Sequence, residues 1–242
     1  MDVLAIGAHP DDCELFMGGT LAKLAALGYQ VAVADLTRGE RASRGTPEQR
    51  AEEAQAAAKI LRLTARLSLD LGDGQVGLGD EDRVKVISLI RSQRPSVIFS
   101  HWPEDRHPDH PRVSQLVREA FFFASVERFE TAEERFRPGA LVEFIGNIVA
   151  APPVPSFIVP ISDTFERKME SLRAYKSQFY DHYLSGTRTW ISSKTYFDQI
   201  EAQARYWGSL IGENYGEPFC CRAPLSIADP VELFKKMGAE RP

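Results

Sequence analysis

Val3-Leu4-Ala5-Ile6-Gly7-Ala8-His9-Pro10-Asp11-Asp12 opens with an apolar run that stops at a histidine and two aspartates. A short run, apolar throughout and closed by a turn, is the signature of a strand buried on both faces. The pattern returns later in the chain, where Val97-Ile98-Phe99 comes shortly before His107-Pro108-Asp109-His110. Open α/β sheets build their sites at the carboxyl ends of strands. Both clusters fall at such ends.

Between the clusters, strand and helix signals alternate. Asp2 to Ala8 is the first expected strand, and Asp12 to Leu27 a helix closed by Gly28. Gln30 to Leu36 is a strand, Thr37 to Thr46 a polar loop, and Pro47 to Leu61 a helix with proline at its favoured first turn. Arg66 to Leu71 is a strand, followed by the glycine-rich loop Gly72 to Gly79. Asp80 to Gln93 is a helix, Ser96 to Ser100 a strand and Pro111 to Ala124 a helix. This alternation predicts an α/β fold: a Rossmann-like, doubly wound, mostly parallel sheet with helices on both faces. Right-handed crossovers favour the strand order 3-2-1-4. Strands one and four are then neighbours, and the two clusters meet at the switch point between them.

The second half is less regular. Glu127 to Arg137 is a charged surface excursion. Leu141 to Ala150 and Phe157 to Ile161 are expected strands around the proline-rich Ala151 to Pro155. Asp163 to Tyr175 and Tyr196 to Ile211 are amphipathic helices, Glu217 to Arg222 a last strand, and Pro230 to Met237 a short helix. The expectation is one domain over 1–242. Its core is 1–125, and 126–242 adds strands and helices that complete the pocket and an oligomer surface.

With 242 residues, 43% of them hydrophobic, the chain can bury a full core without disulfides or structural metal, so a metal site here is catalytic in expectation. A net charge of −5 without a basic run argues against nucleic acid as a partner. No apolar run approaches a membrane span, and no leader pattern precedes the first strand, so a cytoplasmic location without membrane attachment is expected. Three cysteines are too few for a disulfide framework. Cys13, beside the first cluster, is read as a small side chain on the first helical turn rather than a ligand.

His9 and Asp12, three apart at a strand-to-helix turn, can aim an imidazole and a carboxylate at one point, and His110 can add a third ligand. Two histidines, one carboxylate and an open position match catalytic zinc, and Fe2+ or another divalent ion suits the same donors. Zinc lowers the pKa of coordinated water to about 7. Asp11 must point away from Asp12 and can take the proton from that water. His107 can face the same pocket and stabilise an oxyanion or protonate a leaving amine. Asp109 is expected to hydrogen-bond His107 and raise its pKa. The plainer alternative makes Asp11 or Asp12 a helix N-cap. His101 is expected to pack or be solvated, and His182 to lie in a loop. On sequence alone Arg50 is a surface partner of Glu53. Asp73 binds sugar hydroxyls or turns the chain, Arg106 meets an anionic substrate group, and Tyr196 belongs to the core.

Ala8-His9-Pro10-Asp11-Asp12 with Glu14 and Gly18-Gly19-Thr20, Asp35-Leu36-Thr37-Arg38-Gly39-Glu40, and His107-Pro108-Asp109-His110 together resemble the PIG-L/LmbE-like zinc deacetylases. Glu104-Asp105-Arg106, Tyr175-Lys176-Ser177-Gln178-Phe179 and Arg205-Tyr206-Trp207-Gly208 are similar to its bacillithiol-pathway branch. The resemblance implies removal of acetyl from N-acetylglucosaminyl-malate. It implies zinc on His9, Asp12 and His110, Asp11 as general base, and His107 as oxyanion stabiliser or acid. It moves Arg50, Asp73 and Tyr196 into the pocket and implies a homo-oligomer, plausibly a hexamer. The same chemistry on an inositol, chitooligosaccharide or thiol conjugate is the alternative. A more distant one is a metal- or nucleotide-binding module without turnover, although Ala-His-Pro-Asp-Asp is no glycine-rich phosphate cradle. One departure touches the aglycone: Leu141-Val142-Glu143 offers no arginine towards the site, with Arg137 the nearest substitute.

Overall fold

The structure is a computed structural model that describes residues 1–146, 152–179 and 186–239. Its elements run β1 (Val3–Gly7), α1 (Asp12–Ala26), β2 (Val31–Asp35), α2 (Pro47–Leu61), β3 (Ala65–Ser68), α3 (Asp80–Gln93), β4 (Val97–His101) and α4 (Asp109–Phe123). They continue with β5 (Ala140–Phe144), β6 (Phe157–Pro160), α5 (Phe165–Arg173), α6 (Lys194–Ser209), β7 (Gly216–Cys221) and α7 (Pro230–Ala239). Among the described residues no helix is long and apolar enough to cross a membrane.

The strands form one sheet in the order β3-β2-β1-β4-β5-β7-β6. The expected 3-2-1-4 order is its first part, and β5 continues it in parallel. The antiparallel pairs β5–β7 and β6–β7 close the far edge. β1 shows why the opening run had to be a central strand. Val3 and Ala5 pack into one core with α1 residues, and Leu4 and Ile6 pack into the opposite core with residues of α3 and α4. A period of two with both faces apolar admits no solvent-facing side. Register Val3↔Val97 brings β1 and β4 side by side, so their carboxyl ends open on one crevice.

Several boundaries differ from the sequence reading. β4 includes His101, and α4 starts at Asp109, two residues before the expected Pro111. β5 stops at Phe144, and part of the longer strand expected there lies outside the described residues. The charged excursion is tied down from below. Buried Arg91 donates to the carbonyls of Ala124, Val126 and Phe129 and to Thr131 Oγ1 at 2.7–3.1 Å.

α1 is two helical pieces, broken at Met17 (φ −143°, ψ 21°). The freed amides of Gly19 and Thr20 donate to the Glu217 carboxylate at 3.0 and 2.7 Å, and Lys168 closes the pair at 2.6 Å. A Cβ on Gly19 would meet Ile161 at 2.7 Å, so Gly18-Gly19-Thr20 lets the kinked helix press against its neighbour. Removing one member of a buried ion pair leaves an uncompensated charge. Glu217→Ala is therefore expected to lower stability by about 3–5 kcal/mol, read as a shift in the urea midpoint.

Candidate active site

The turn after β1 sets the geometry. A Cβ on Gly7 would lie 3.2 Å from both Asp12 Cβ and Cys13 Sγ, so the absence of a side chain lets α1 start close to the strand end. The His9 amide donates to Asp12 Oδ2 at 2.8 Å. Asp11 occupies the N-cap position at φ 115° and makes no side-chain cap. A non-glycine residue held there costs about 1–3 kcal/mol. The strain turns the Asp11 carboxylate away from the helix amides, and Arg50 donates to its Oδ2 at 3.1 Å. Asp11 thus holds the N-cap position without capping through its side chain.

Asp12 lies between two imidazoles. His9 Nδ1 is 3.4 Å from Asp12 Oδ2, and His110 Nε2 is 3.3 Å from Asp12 Oδ1. The opposite nitrogens face further carboxylates: Asp73 and Asp109 lie 3.3 Å from His9 Nε2, and Asp105 is 3.1 Å from His110 Nδ1. This is the outer arrangement of metal-bound histidine, in which a carboxylate behind the ring fixes its tautomer and orientation. Against burial, Asp109, Asp12 and Asp73 hold His9 well above the usual histidine range. Burial also opposes the shift at His110, which Asp12 and Asp105 push up to about 9. Burial would raise Asp12, yet His110, His101 and His9 keep it well below the carboxylate range.

The donor chemistry fits a divalent ion. Five carboxylates (Asp11, Asp12, Asp73, Asp105, Asp109) surround the histidines, and among the described residues the guanidinium groups paired with them are Arg50 on Asp11 and Arg112 on Asp109. Among the described residues, donor atoms within 4.8 Å form three overlapping groups: His9-His107-His110, Asp12-His101-His110 and His9-Asp73-Asp109. His9 and His110 each belong to two of these groups and Asp12 to one, so the three expected ligands are spread over the groups and do not form one of them. His101 is a neighbour that sequence reasoning placed only as packing or solvated. It is buried, stacked on His110 at 4.2 Å, and its Nε2 accepts the Ala8 amide at 3.0 Å. That lone pair is occupied, and burial with the nearby His110 depresses its pKa to about 4. His101 is thus a neutral packing partner of the His110 ring, its tautomer fixed by the backbone.

One expectation needs correction. Asp109 does not place its carboxylate on His107. Oδ2 accepts the Gly74 amide at 2.7 Å and faces His9, while the Asp109 backbone amide donates to His107 Nδ1 at 3.3 Å. Residues two apart at a helix start diverge, so adjacency in sequence did not become side-chain contact. His107 is shifted down, by burial and then by His9 and His110, not up. Its ring stands 4.5 Å from that of His9.

The site opens into a cavity of about 300 Å³ whose lining includes Arg50, Asp73, Arg106 and Tyr196, all four expected pocket residues. Arg50 is no surface partner of Glu53. It is 4% exposed and also donates to the Pro10 carbonyl, whereas Glu53 accepts from Ser177. Asp73 Oδ2 accepts the Arg41 amide at 2.9 Å, pinning the polar loop to the site. Arg106 lies 5.1 Å over the Trp190 ring. Tyr196 is buried, as the core reading had it. Arg137 is exposed and outside this cavity. His182 lies outside the described residues. Cys13 is fully buried and its thiol is pushed up by burial, as a packing side chain should be.

Sequence reasoning quoted Asp105 without its contact to His110 and missed the buried network behind the turn. There Arg66 pairs with Glu14, holds Asp35 at 2.7 Å and donates to the Tyr175 hydroxyl at 3.0 Å. It ties the first metal motif to the segment that carries Gln178 and Phe179 into the cavity. No local pattern announces Arg66, because the pairing needs the β2–β3 register Val33↔Arg66.

Residues 4–121 match the PIG-L family, described as GlcNAc-PI de-N-acetylase. A diacetylchitobiose deacetylase of Thermococcus kodakarensis is 31% identical over 89% of this chain and 80% of its own length. A 1D-myo-inositol 2-acetamido-2-deoxy-alpha-D-glucopyranoside deacetylase of Rhodococcus opacus is 32% identical over 54% of this chain and 56% of its own. The crystal structure of the conserved protein TT1542 from Thermus thermophilus superposes with a TM-score of 0.85 at 36% identity, covering 95% of this chain and 98% of that one. With its sheet order, its paired histidine-aspartate motifs and these likenesses, the chain belongs to the PIG-L (LmbE-like) family.

Proposed function

We propose that the chain is a divalent-metal-dependent amidohydrolase that removes the N-acetyl group from a small N-acetylglucosaminide. N-acetylglucosaminyl-malate, the bacillithiol-pathway conjugate, is the favoured substrate. The observation that carries this reading is the Asp11 carboxylate: held at the cap position at φ 115° without capping the helix, bonded to Arg50, and lining the cavity with His9, Asp12 and His110. An ion on those three residues, assigned as zinc, supplies Lewis acidity towards water and the amide carbonyl. Asp11 takes the proton from the attacking water. Burial pushes its pKa up to about 7 against the pull of Arg50, which suits a group that must both accept and release a proton near neutrality. His107, its ring 4.5 Å from that of His9, donates to the developing oxyanion while the proton held by Asp11 passes to the leaving nitrogen, or gives that nitrogen its proton directly. The C–N bond breaks, acetate leaves, and the sugar keeps a free amine.

The sugar and its aglycone occupy the outer cavity. Asp73 is placed for hydroxyls, while Arg106 and Arg41 offer charge to an acidic aglycone. Likeness to the chitobiose and inositol-glucosaminide deacetylases supports the amino-sugar half of the reading and leaves a neutral aglycone as the second reading. The test is amine release from matched malate, inositol and chitobiose N-acetylglucosaminides. Turnover of the malate glycoside with the highest kcat/KM is expected. Turnover of the others without it would reassign the aglycone. A homo-oligomer, taken as a hexamer, is part of the same proposal, supported by exposed Tyr206 on α6, Leu210 at its C-terminal cap, and Val231 and Phe234 on α7. Light scattering on the purified chain checks it.

A further inference from the structure

Phe16 stands between two cavities. It lines the active-site cavity and also a second cavity of about 150 Å³ walled by Ile145, Ile200, Ala204, Trp207 and Pro218. Lys168 and Glu217 also line this cavity, with Gln203 and Tyr206, but that ionic pair is bonded to itself and to the amides of α1. What that space offers a ligand is therefore chiefly apolar contact.

The placement of Phe16 relative to the chemistry is set by α1. Phe16 lies four residues beyond Asp12 on the same side of α1, and Leu15 beside it also lines the active-site cavity. The Phe16 ring meets the His110 and His101 rings edge-on at 5.9 Å and stacks on Phe144 at 5.6 Å. In the deacetylase reading, on which this inference rests, the amide carbon lies among Asp11, Asp12 and His107. The glucosamine ring needs the polar mouth. The acyl methyl needs apolar surface beside the ligand histidines, and Leu15 and Phe16 supply it.

We infer that Phe16 is the specificity-determining residue for acyl length. Its ring closes the acyl end of the site at acetyl, and behind it lies a preformed apolar space able to take a short unbranched acyl chain. Removing the ring joins the two cavities.

The test compares the wild type, Phe16→Ala, Ala204→Leu and the double variant on N-acetyl, N-butanoyl and N-hexanoyl forms of one glucosaminide. Amine release is measured, and thermal melts report folding. Phe16→Ala is expected to raise the butanoyl-to-acetyl ratio of kcat/KM by about tenfold to a hundredfold, the range that methylenes in an apolar pocket command. Ala204→Leu, filling the second cavity, is expected to leave wild-type acetyl turnover unchanged and to cancel the hexanoyl gain of Phe16→Ala. A folded Phe16→Ala with an unchanged ratio overturns the inference, as does a gain that survives Ala204→Leu. If Phe16→Ala does not fold, Phe16→Leu carries the same ratio, and no gain there is likewise fatal. A wild type that releases amine from no acetyl conjugate refutes the deacetylase reading itself. Wild-type acetyl turnover with an unshifted ratio refutes only the role of Phe16.

Discussion

Asp11→Asn retains bound metal and loses about a hundredfold to ten-thousandfold in kcat, the range that a positioned general base contributes. The amide is isosteric and keeps an oxygen for Arg50, so the turn at φ 115° and the contact at 3.1 Å have no steric reason to change. What disappears is the capacity to take a proton from water. The proposed metal donors His9, Asp12 and His110 are untouched, so elemental analysis should still find about one ion per chain. Two results together therefore mark the base: stoichiometric metal and an unchanged melting temperature, with turnover lost. Near wild-type turnover in Asp11→Asn would remove Asp11 from the role and leave its strained backbone without a catalytic reason. Asp11→Ala separates the two duties of the carboxylate, because it also leaves the buried Arg50 guanidinium without that partner. It should lose the same activity and, unlike the asparagine variant, also stability.

The parts of this molecule legible in its sequence are those where one segment alone carries the signal. β1 is apolar on both faces, so Val3 to Gly7 announced a central strand, and the His-Pro-Asp tripeptides marked the strand ends where histidine and carboxylate donors gather. The order 3-2-1-4 followed from the alternation and the hand of the crossovers. Where the reading failed, the deciding contact is long-range. Arg50 and Glu53, three apart on α2, suggest a surface pair, but the fold gives Arg50 to Asp11 and Glu53 to Ser177. His101 follows Ser100 as if outside the strand, yet pairing His101↔Phe144 continues β4 by one residue and turns a spare histidine into the ring beneath His110. Asp109 is next but one to His107 in sequence, while its carboxylate binds the Gly74 amide in the glycine-rich loop. Composition and spacing hold no term for any of these contacts, which exist only once β1, β4 and the loop after β3 converge.

Asp12→Ala abolishes stoichiometric metal binding and, with it, turnover, and the size of its effect relative to Asp109→Ala identifies where the ion is held. Asp12 is the carboxylate that lies between His9 and His110, at 3.4 and 3.3 Å. Its loss removes a ligand and also strands the His9 amide, whose hydrogen bond at 2.8 Å orients the turn. Asp109 stands behind His9, so its loss disturbs the orientation of one ring and is expected to weaken metal affinity by about 10–100-fold. Competition against a chromogenic chelator should thus rank the variants: wild type tightest, Asp109→Ala intermediate, and Asp12→Ala too weak to retain metal through gel filtration. The reverse ranking has a definite meaning here, because His9-Asp73-Asp109 is itself a compact donor group. If Asp12→Ala keeps its ion while Asp109→Ala loses it, the metal belongs to that second group. Asp11 would then no longer neighbour the water it is assigned to deprotonate. If the expected ranking holds, adding excess zinc should restore turnover to Asp109→Ala and not to Asp12→Ala, since only the first retains all three ligands.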